Sequence, residues 1–290
     1  MPTPSRVLRD MLQRGATIVA PGAYDPISAR VVQSLGFPAI YTGGYITGAH
    51  TTITEPRLTL TEQVEVAHRV VRAVDLPVLS DAGTGYGDPL QVMRCVHEFE
   101  AAGIAGIHIE DQVYPKRASY HKGLEHIVPL EEFRERLTYA LRARKDPDFL
   151  IVGRTDAFSA VEGSREELVR RGLFLRDLGV DAVLPRGVRQ KADLAFFRQA
   201  VSGIPLMVIA GADDISVQEY TDLGYQILIY ATTPIVVAVH ALMETYRQLK
   251  TTGLLNLSAQ QVAEIRTRVE ALIDLPAYYE LEAETTERQP

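Results

Sequence analysis

Residues 76–112 read LPVLSDAGTGYGDPLQVMRCVHEFEAAGIAGIHIEDQ, and their order decides the fold. Pro77 opens an apolar run at the position where its missing N–H costs least. The run VLSD ends at an acid and breaks into the glycine-rich turn AGTGYGD. A stripe follows at three-to-four spacing, Val92, Cys95, Val96 and Phe99, which predicts a helix. Gly103 suits the left-handed position just past that helix. A second apolar run, GIHIE, then ends in acids again. Both runs are rich in Val, Ile and Leu with little alternation, the pattern of parallel strands buried on both faces.

The same unit recurs along the chain. Eight apolar runs begin near Thr17, Pro38, Leu76, Ala105, Asp148, Val180, Ile204 and Tyr225. They end in APGAYD, YTGGY, SDAGTGYGD, IEDQVYPK, GRTDA, LPRGVR, IAGADD and IYATTP. Gly stops also occur in SLGF, DLGV and DLGY. Eight strand–helix units predict an α/β fold, a closed (β/α)8 TIM barrel, whose active site lies at the C-terminal strand ends. The barrel is expected over 1–253, led in by a helix over Ser5–Gln13. Residues 254–290 form a helical tail, with one helix over Ser258–Ile273 and the last dozen residues expected to be mobile. That extra C-terminal helix must bury its apolar face over the barrel or in a neighbouring subunit.

Composition narrows the function. The 290 residues match one barrel of about 250 residues plus a tail. A net charge of −7, without a long Lys/Arg run, argues against a nucleic-acid partner. No run of about 20 apolar residues predicts a membrane span. The segment MPTPSRVLRDMLQRG has no apolar signal core, and a single cysteine fits a reducing cytoplasm.

The strand-end rule gathers scattered polar residues. The second run delivers Tyr41, Thr42, Gly43 and Gly44, and the third delivers Asp81. The fourth delivers His108, Glu110 and Asp111, followed by Lys116. The fifth delivers Arg154 and Asp156, and the sixth Arg186 with Arg189 nearby. Asp81 and Glu110, expected at one height on adjacent strands, would repel without a cation or proton between them. Carboxylates, water and substrate oxygens suit Mg2+, and Mn2+ shares that preference. Arg154 and Arg186 suit a planar anion held bidentately. Metal and arginines together point to a small carboxylate substrate whose developing charge the metal absorbs.

Plainer readings stand beside these. Asp156 reads as a functional acid or, equally, as a plain helix N-cap or arginine's partner. GTGYG lacks the spacing of a phosphate loop. Cys95 reads as core packing, and His68, His97 and His240 as helix residues. His108 is expected to point into the strand layer. His121 and His126, in the long loop after the fourth strand, are candidates.

Four segments carry a resemblance: YTGGYITGA at 41–49, DAGTGYGDP at 81–89, IEDQVYPKR at 109–117 and GRTDA at 153–157. They resemble the isocitrate lyase / phosphoenolpyruvate mutase superfamily over about Arg6 to Gly253. The resemblance implies Mg2+, an α-keto or α-hydroxy acid, and a metal-stabilised pyruvate-like enolate. It also implies a homo-oligomer, a dimer of dimers, with the eighth barrel helix swapped between partners. By that resemblance Asp81 would ligate the metal and Glu110 would hold metal-bound water. Thr42, Gly43, Gly44 and Arg154 would bind substrate, and Lys116 would sit on a closing loop.

The sequence also departs from the family pattern. Where the family reads DxDTGYG, this chain has Asp81, Ala82 and Gly83, so the second acid is gone. The acid of the loop after the second strand is Glu55, and with Asp111 it is a candidate to support the site from behind. The lyase loop KKCGH is here Lys116, Arg117, Ala118, Ser119, Tyr120 and His121. Ala118 cannot transfer a proton, which leaves Tyr120, His121 or water to do so. Arg186 stands where lyases tend to have an acid and mutases a His.

The favoured reading is C–C cleavage of a small 2-oxo or 2-hydroxy diacid or triacid, with oxaloacetate decarboxylation as a simple form. Phosphonate C–P chemistry is the alternative, and methylisocitrate-type lysis lacks its Cys. A catalytically inactive keto-acid-binding barrel is the non-enzyme alternative.

Overall fold

A computed structural model describes residues 2–117, 123–211 and 215–287. The chain opens with helix α1 (Pro4–Gln13) and strand β1 (Ile18–Pro21), then α2 (Pro26–Ser34) and β2 (Ile40–Thr42). Short α3 (Gly44–His50), a 3-10 turn (Glu55–Arg57) and α4 (Leu60–Val71) precede β3 (Val78–Asp81). Next come α5 (Pro89–Ala101), β4 (Gly106–Glu110), α6 (Leu130–Ala143), β5 (Leu150–Thr155) and α7 (Arg165–Leu178). Then follow β6 (Ala182–Pro185), α8 (Lys191–Ala200), β7 (Met207–Ile209), α9 (Val217–Asp222) and β8 (Ile227–Tyr230). The chain ends in α10 (Thr233–Thr252), α11 (Ala259–Leu272) and α12 (Leu275–Glu284).

All strand pairs are parallel, in the orders β2-β3-β4-β5-β6 and β1-β8-β7. Single bridges join the two sheets: Gly22 to Tyr41 between β1 and β2, and Val183 to Leu206 between β6 and β7. Ala23 N–H donates to Tyr41 O at 2.9 Å, and Val183 N–H to Pro205 O at 3.0 Å. The (β/α)8 barrel is therefore closed.

Two apolar clusters follow from strand alternation. Ile18, Leu79, Leu150, Val152, Leu184 and Ile227 fill the barrel interior. Leu8 and Leu12 of α1 join them, so the lead-in helix plugs the barrel. Ile107, Ile109, Ile151 and Val183 face outward and meet the helices through Phe99, Phe133, Leu175 and Phe197. Gly153 faces the helix shell too, where a Cβ would lie 2.4 Å from Leu175 Cδ2. Only glycine lets α7 come so close to β5.

Residues expected to be mobile include the second half of α12, which Pro276 in its first turn and good helix formers in AYYELEAE sustain. α11 lies against α2, and Asp274 pairs with Arg30 at 3.0 Å. α10, α11 and α12 contain no buried residue. Among the described residues, no helix is long and apolar enough to cross a membrane.

Cys95 is fully buried in the helix shell, and burial raises its thiol pKa well above the ordinary value. Native protein should therefore resist iodoacetamide, and unfolding in guanidinium should release its single reactive thiol. Ready native alkylation would remove Cys95 from the core.

Candidate active site

Strand parity selects the side chains of the barrel mouth. Along β3 the inward series runs Leu79 then Asp81, and along β4 it runs Gly106, His108, Glu110. Along β5 it runs Leu150, Val152, Arg154, and along β6 Ala182 and Leu184, pointing on to Arg186. Each series passes from core to charge where its strand ends. Asp81 and Glu110 are not level, contrary to expectation: Asp81 lies opposite His108, and Glu110 opposite Arg154. Strand stagger in a barrel accounts for the step.

The loop after β4 brings Lys116 back over these ends. Its ammonium lies 2.6 Å from Glu55 Oε1, 3.2 Å from Glu110 Oε1 and 3.5 Å from Asp81 Oδ2. Arg154 Nη1 reaches Glu110 Oε2 at 2.8 Å. The backbone N–H groups of Gly83 and Gly44 donate to Asp81 at 2.7 and 3.3 Å. Gly44 also makes room, since a Cβ there would lie 2.5 Å from Glu55 Oε1. Glu55 is thus the third carboxylate of the cluster, where Gly83 supplies none.

Electrostatics divide the acids. Burial opposes charge on Asp81, but Lys116, His108 and Arg154 hold its pKa well below the ordinary range. Glu110 is fully enclosed, and burial pushes it up to about 7 against the pull of Arg154 and Lys116. Burial likewise opposes charge on Lys116, yet Asp81, Glu110 and Glu55 hold its pKa above normal. His108 is pushed down to about 4 by burial, so it is neutral at pH 7. Its Nε2 lies 2.7 Å from the Tyr41 hydroxyl, and its Nδ1 lies 3.7 Å from Asp81 Oδ1. His108 points into the barrel, as expected, and lies beneath the acid cluster, hydrogen-bonded to Tyr41.

The cluster fits a hard divalent cation in its donors. The oxygens that would ligate are carboxylate oxygens, and buried Glu110 Oε1 accepts no hydrogen bond, its one close partner being the Lys116 ammonium at 3.2 Å. Among the described residues, no three acids or histidines form a ready-made cage. Mg2+ suits such a partial site, since it keeps several waters and shares substrate oxygens.

A cavity of about 190 Å³ opens above the cluster, lined by Tyr41, Gly43, Gly44, Glu55, Asp81, Lys116, Arg154, Arg186 and Arg189, among others. Several expected roles change. Thr42 faces outward: its hydroxyl donates to Ser80 Oγ at 2.9 Å, away from the cavity. Asp111 also has outward parity and ties β4 to β5 and α7 through Thr155, Asp156 N–H and Arg171. Burial and Asp156 push its pKa up to about 6, but it does not reach the cavity. The planar fork of Arg154 is engaged by Asp156, through Nε at 2.8 Å and Nη2 at 2.9 Å. Asp156 is therefore an arginine's partner. His126 pairs with Glu162, outside the cavity lining. Ala118, Ser119, Tyr120 and His121 lie outside the described residues.

Comparison with known proteins gives this geometry a context. The family model described as phosphoenolpyruvate phosphomutase matches residues 8–250. The chain is 37% identical to 2,3-dimethylmalate lyase of Eubacterium barkeri, over 84% of this chain and 85% of that one. Oxaloacetate acetylhydrolase bound to the inhibitor 3,3-difluorooxalacetate superposes with a TM-score of 0.88 at 27% identity, covering 98% of this chain and 97% of that one. Phosphonopyruvate hydrolase in complex with oxalate and Mg2+ superposes with a TM-score of 0.84 at 25% identity, covering 98% and 100%. Carbon–carbon lyases and phosphonate enzymes thus both stand among the relatives, on a shared fold. The chain belongs to the phosphoenolpyruvate mutase / isocitrate lyase superfamily.

Proposed function

We propose that this protein is a Mg2+-dependent lyase that cleaves a C–C bond of a small 2-oxo or 2-hydroxy carboxylic acid through a pyruvate-type enolate. The observation that carries the reading is the convergence of Glu55, Asp81 and Glu110 on one buried cation position, held here by Lys116 Nζ. Asp81 and Glu110, with Glu55 beside them, would hold the ion, which when bound would polarise the substrate's 2-oxo group and absorb enolate charge. Mn2+ would serve by the same donors.

The chain's own residues supply the rest. Arg154 is fixed by Asp156 and Glu110, so its charge stands preorganised beside the reacting carbons. Gly43 and Gly44 let substrate approach the backbone of the loop after β2. Tyr120 and His121 are the proposed proton donors for the enolate, and Lys116 contributes a movable positive charge. Residues 1–253 form the catalytic unit.

The exposed apolar surface of α10, including Val236, Val237, Leu242, Met243, Tyr246 and Leu249, supports assembly. A patch of this kind calls for a partner, and another copy of the chain fits the tail's position. The assembly proposed is a homotetramer, a dimer of dimers, working in the cytoplasm, where a lone cysteine is at home.

A panel of oxaloacetate, 2-methylisocitrate, isocitrate, dimethylmalate and phosphonopyruvate, followed by NMR with Mg2+ and with chelator, tests the reaction. Metal-dependent pyruvate or glyoxylate from a carbon acid is expected, and Asp81→Ala should abolish it. Turnover of phosphonopyruvate alone would move the protein to C–P chemistry, and full activity in chelator would refute the metal.

Lys116→Met removes the central charge and leaves three carboxylates facing one another. Without divalent metal it should destabilise the protein by about 3–5 kcal/mol, the usual cost of breaking a buried ion pair. Added Mg2+ should restore part of the loss, and an unchanged Tm in chelator would contradict the assigned role of the ammonium. Sedimentation velocity at micromolar concentration should give a tetramer, whereas a monomer would leave α10 uncovered and sink the assembly.

A further inference from the structure

Segment 113–117 places the Lys116 ammonium in the site with little else to hold it there. Val113, Tyr114, Pro115 and Arg117 are exposed, and Lys116 alone of the segment is buried. Among the described residues, Tyr114, Pro115, Lys116 and Arg117 form no main-chain to main-chain hydrogen bond. Neither packing nor backbone pairing therefore sets the position of Lys116. Pairing stops at the foot of the segment, where Val113 N–H donates to His126 O at 2.9 Å and Val128 N–H to Asp111 O at 2.8 Å.

Gln112 stands buried at that foot, and its amide is used at both ends. Nε2 donates to Asp156 Oδ2 at 2.5 Å, and Oε1 accepts from the Arg117 main-chain N–H at 2.9 Å. The partners fix which end is which, because an ionised carboxylate only accepts and a main-chain N–H only donates. Arg154 holds Asp156 in that ionised form. Asp156 in turn grips the Arg154 fork, Arg154 reaches Glu110, and Glu110 reaches Lys116. The contacts close a ring through Lys116, Glu110, Arg154, Asp156, Gln112 and Arg117. Glu110 joins the two cations directly, and Gln112 joins their supports. The Gln112 main chain is held separately, since its carbonyl accepts from Arg136 Nη1 at 2.9 Å.

We infer that Gln112 is a positioning residue, whose amide ties the placement of the Lys116 ammonium to that of the Arg154 guanidinium. The two cations then keep or lose their places together. Gln112 acts through Arg117 and Asp156 and not on either cation itself. The inference concerns the site and holds whichever bond the enzyme cuts.

Side-chain reactivity in chelator tests this without substrate or metal. Lys116 and Arg154 are each less than a tenth exposed, so each reacts only when displaced. Brief treatment with acetic anhydride for lysine, or phenylglyoxal for arginine, followed by peptide mass spectrometry, reads both positions. Gln112→Met keeps the length of the side chain and removes both hydrogen bonds. It should speed modification of Lys116 and of Arg154 by roughly tenfold each, the loss of one charge-assisted hydrogen bond. Lys145, Lys191 and Lys250 should react at the wild-type rate. If Gln112→Met does not fold, Gln112→Glu carries the same expectation, because it keeps an acceptor for Arg117 but turns a carboxylate towards Asp156. Unchanged protection of Lys116 would overturn the inference. A rise at Lys116 with Arg154 still protected would reduce Gln112 to an anchor of its own segment and overturn the coupling. An equal rise at every lysine, with a lower Tm, would show general loosening and overturn it as well.

Discussion

A buried positive charge between buried carboxylates is the constraint on which the barrel mouth depends. Glu55, Asp81 and Glu110 come from three separate segments and would repel in a low-dielectric site. The Lys116 ammonium at their centre makes that arrangement stable, and Arg154 neutralises Glu110 from the other side. An unpaired charge here would cost several kcal/mol, so acids and cations hold one another in place.

The supports of this cluster reach deep into the fold. Tyr41 and His108 stack inside the barrel, with ring centroids 5.8 Å apart, and stand beneath Asp81. Asp156 carries the order outward from Arg154 to Arg186, and Gln112 donates to Asp156 at 2.5 Å. Asp111 anchors the strand ends to α7 through Arg171. A rigid sheet thus fixes the charged groups, while loops supply Glu55 and Lys116. Barrel enzymes commonly divide labour in this way, and loop changes can alter the chemistry without disturbing the core.

Gly83 and Glu55 show how the loops set the charge of the mouth. Gly83 adopts φ +52°, with open space where a Cβ would point, so it adds only its backbone N–H to Asp81. Glu55 brings a carboxylate to the cluster from the preceding loop.

The sequence by itself determined the eight strand–helix units, the strand ends and the identity of Asp81, Glu110, Arg154 and Lys116 as the charged groups there. These are local properties: apolar runs, glycine stops, and acids placed where a buried strand meets solvent. It also led to the superfamily through YTGGYITGA, DAGTGYGDP and GRTDA. Tertiary structure decided which face each residue takes. Thr42 and Asp111 sit at strand ends yet point to the helix shell, because side chains alternate and the barrel interior takes only every second one. It also decided that the Arg154 fork closes on Asp156, that His108 lies beneath Asp81, and that Lys116 lies among three acids. Those contacts join residues far apart in the chain, and their partners are set by strand stagger and loop path, which no local pattern encodes.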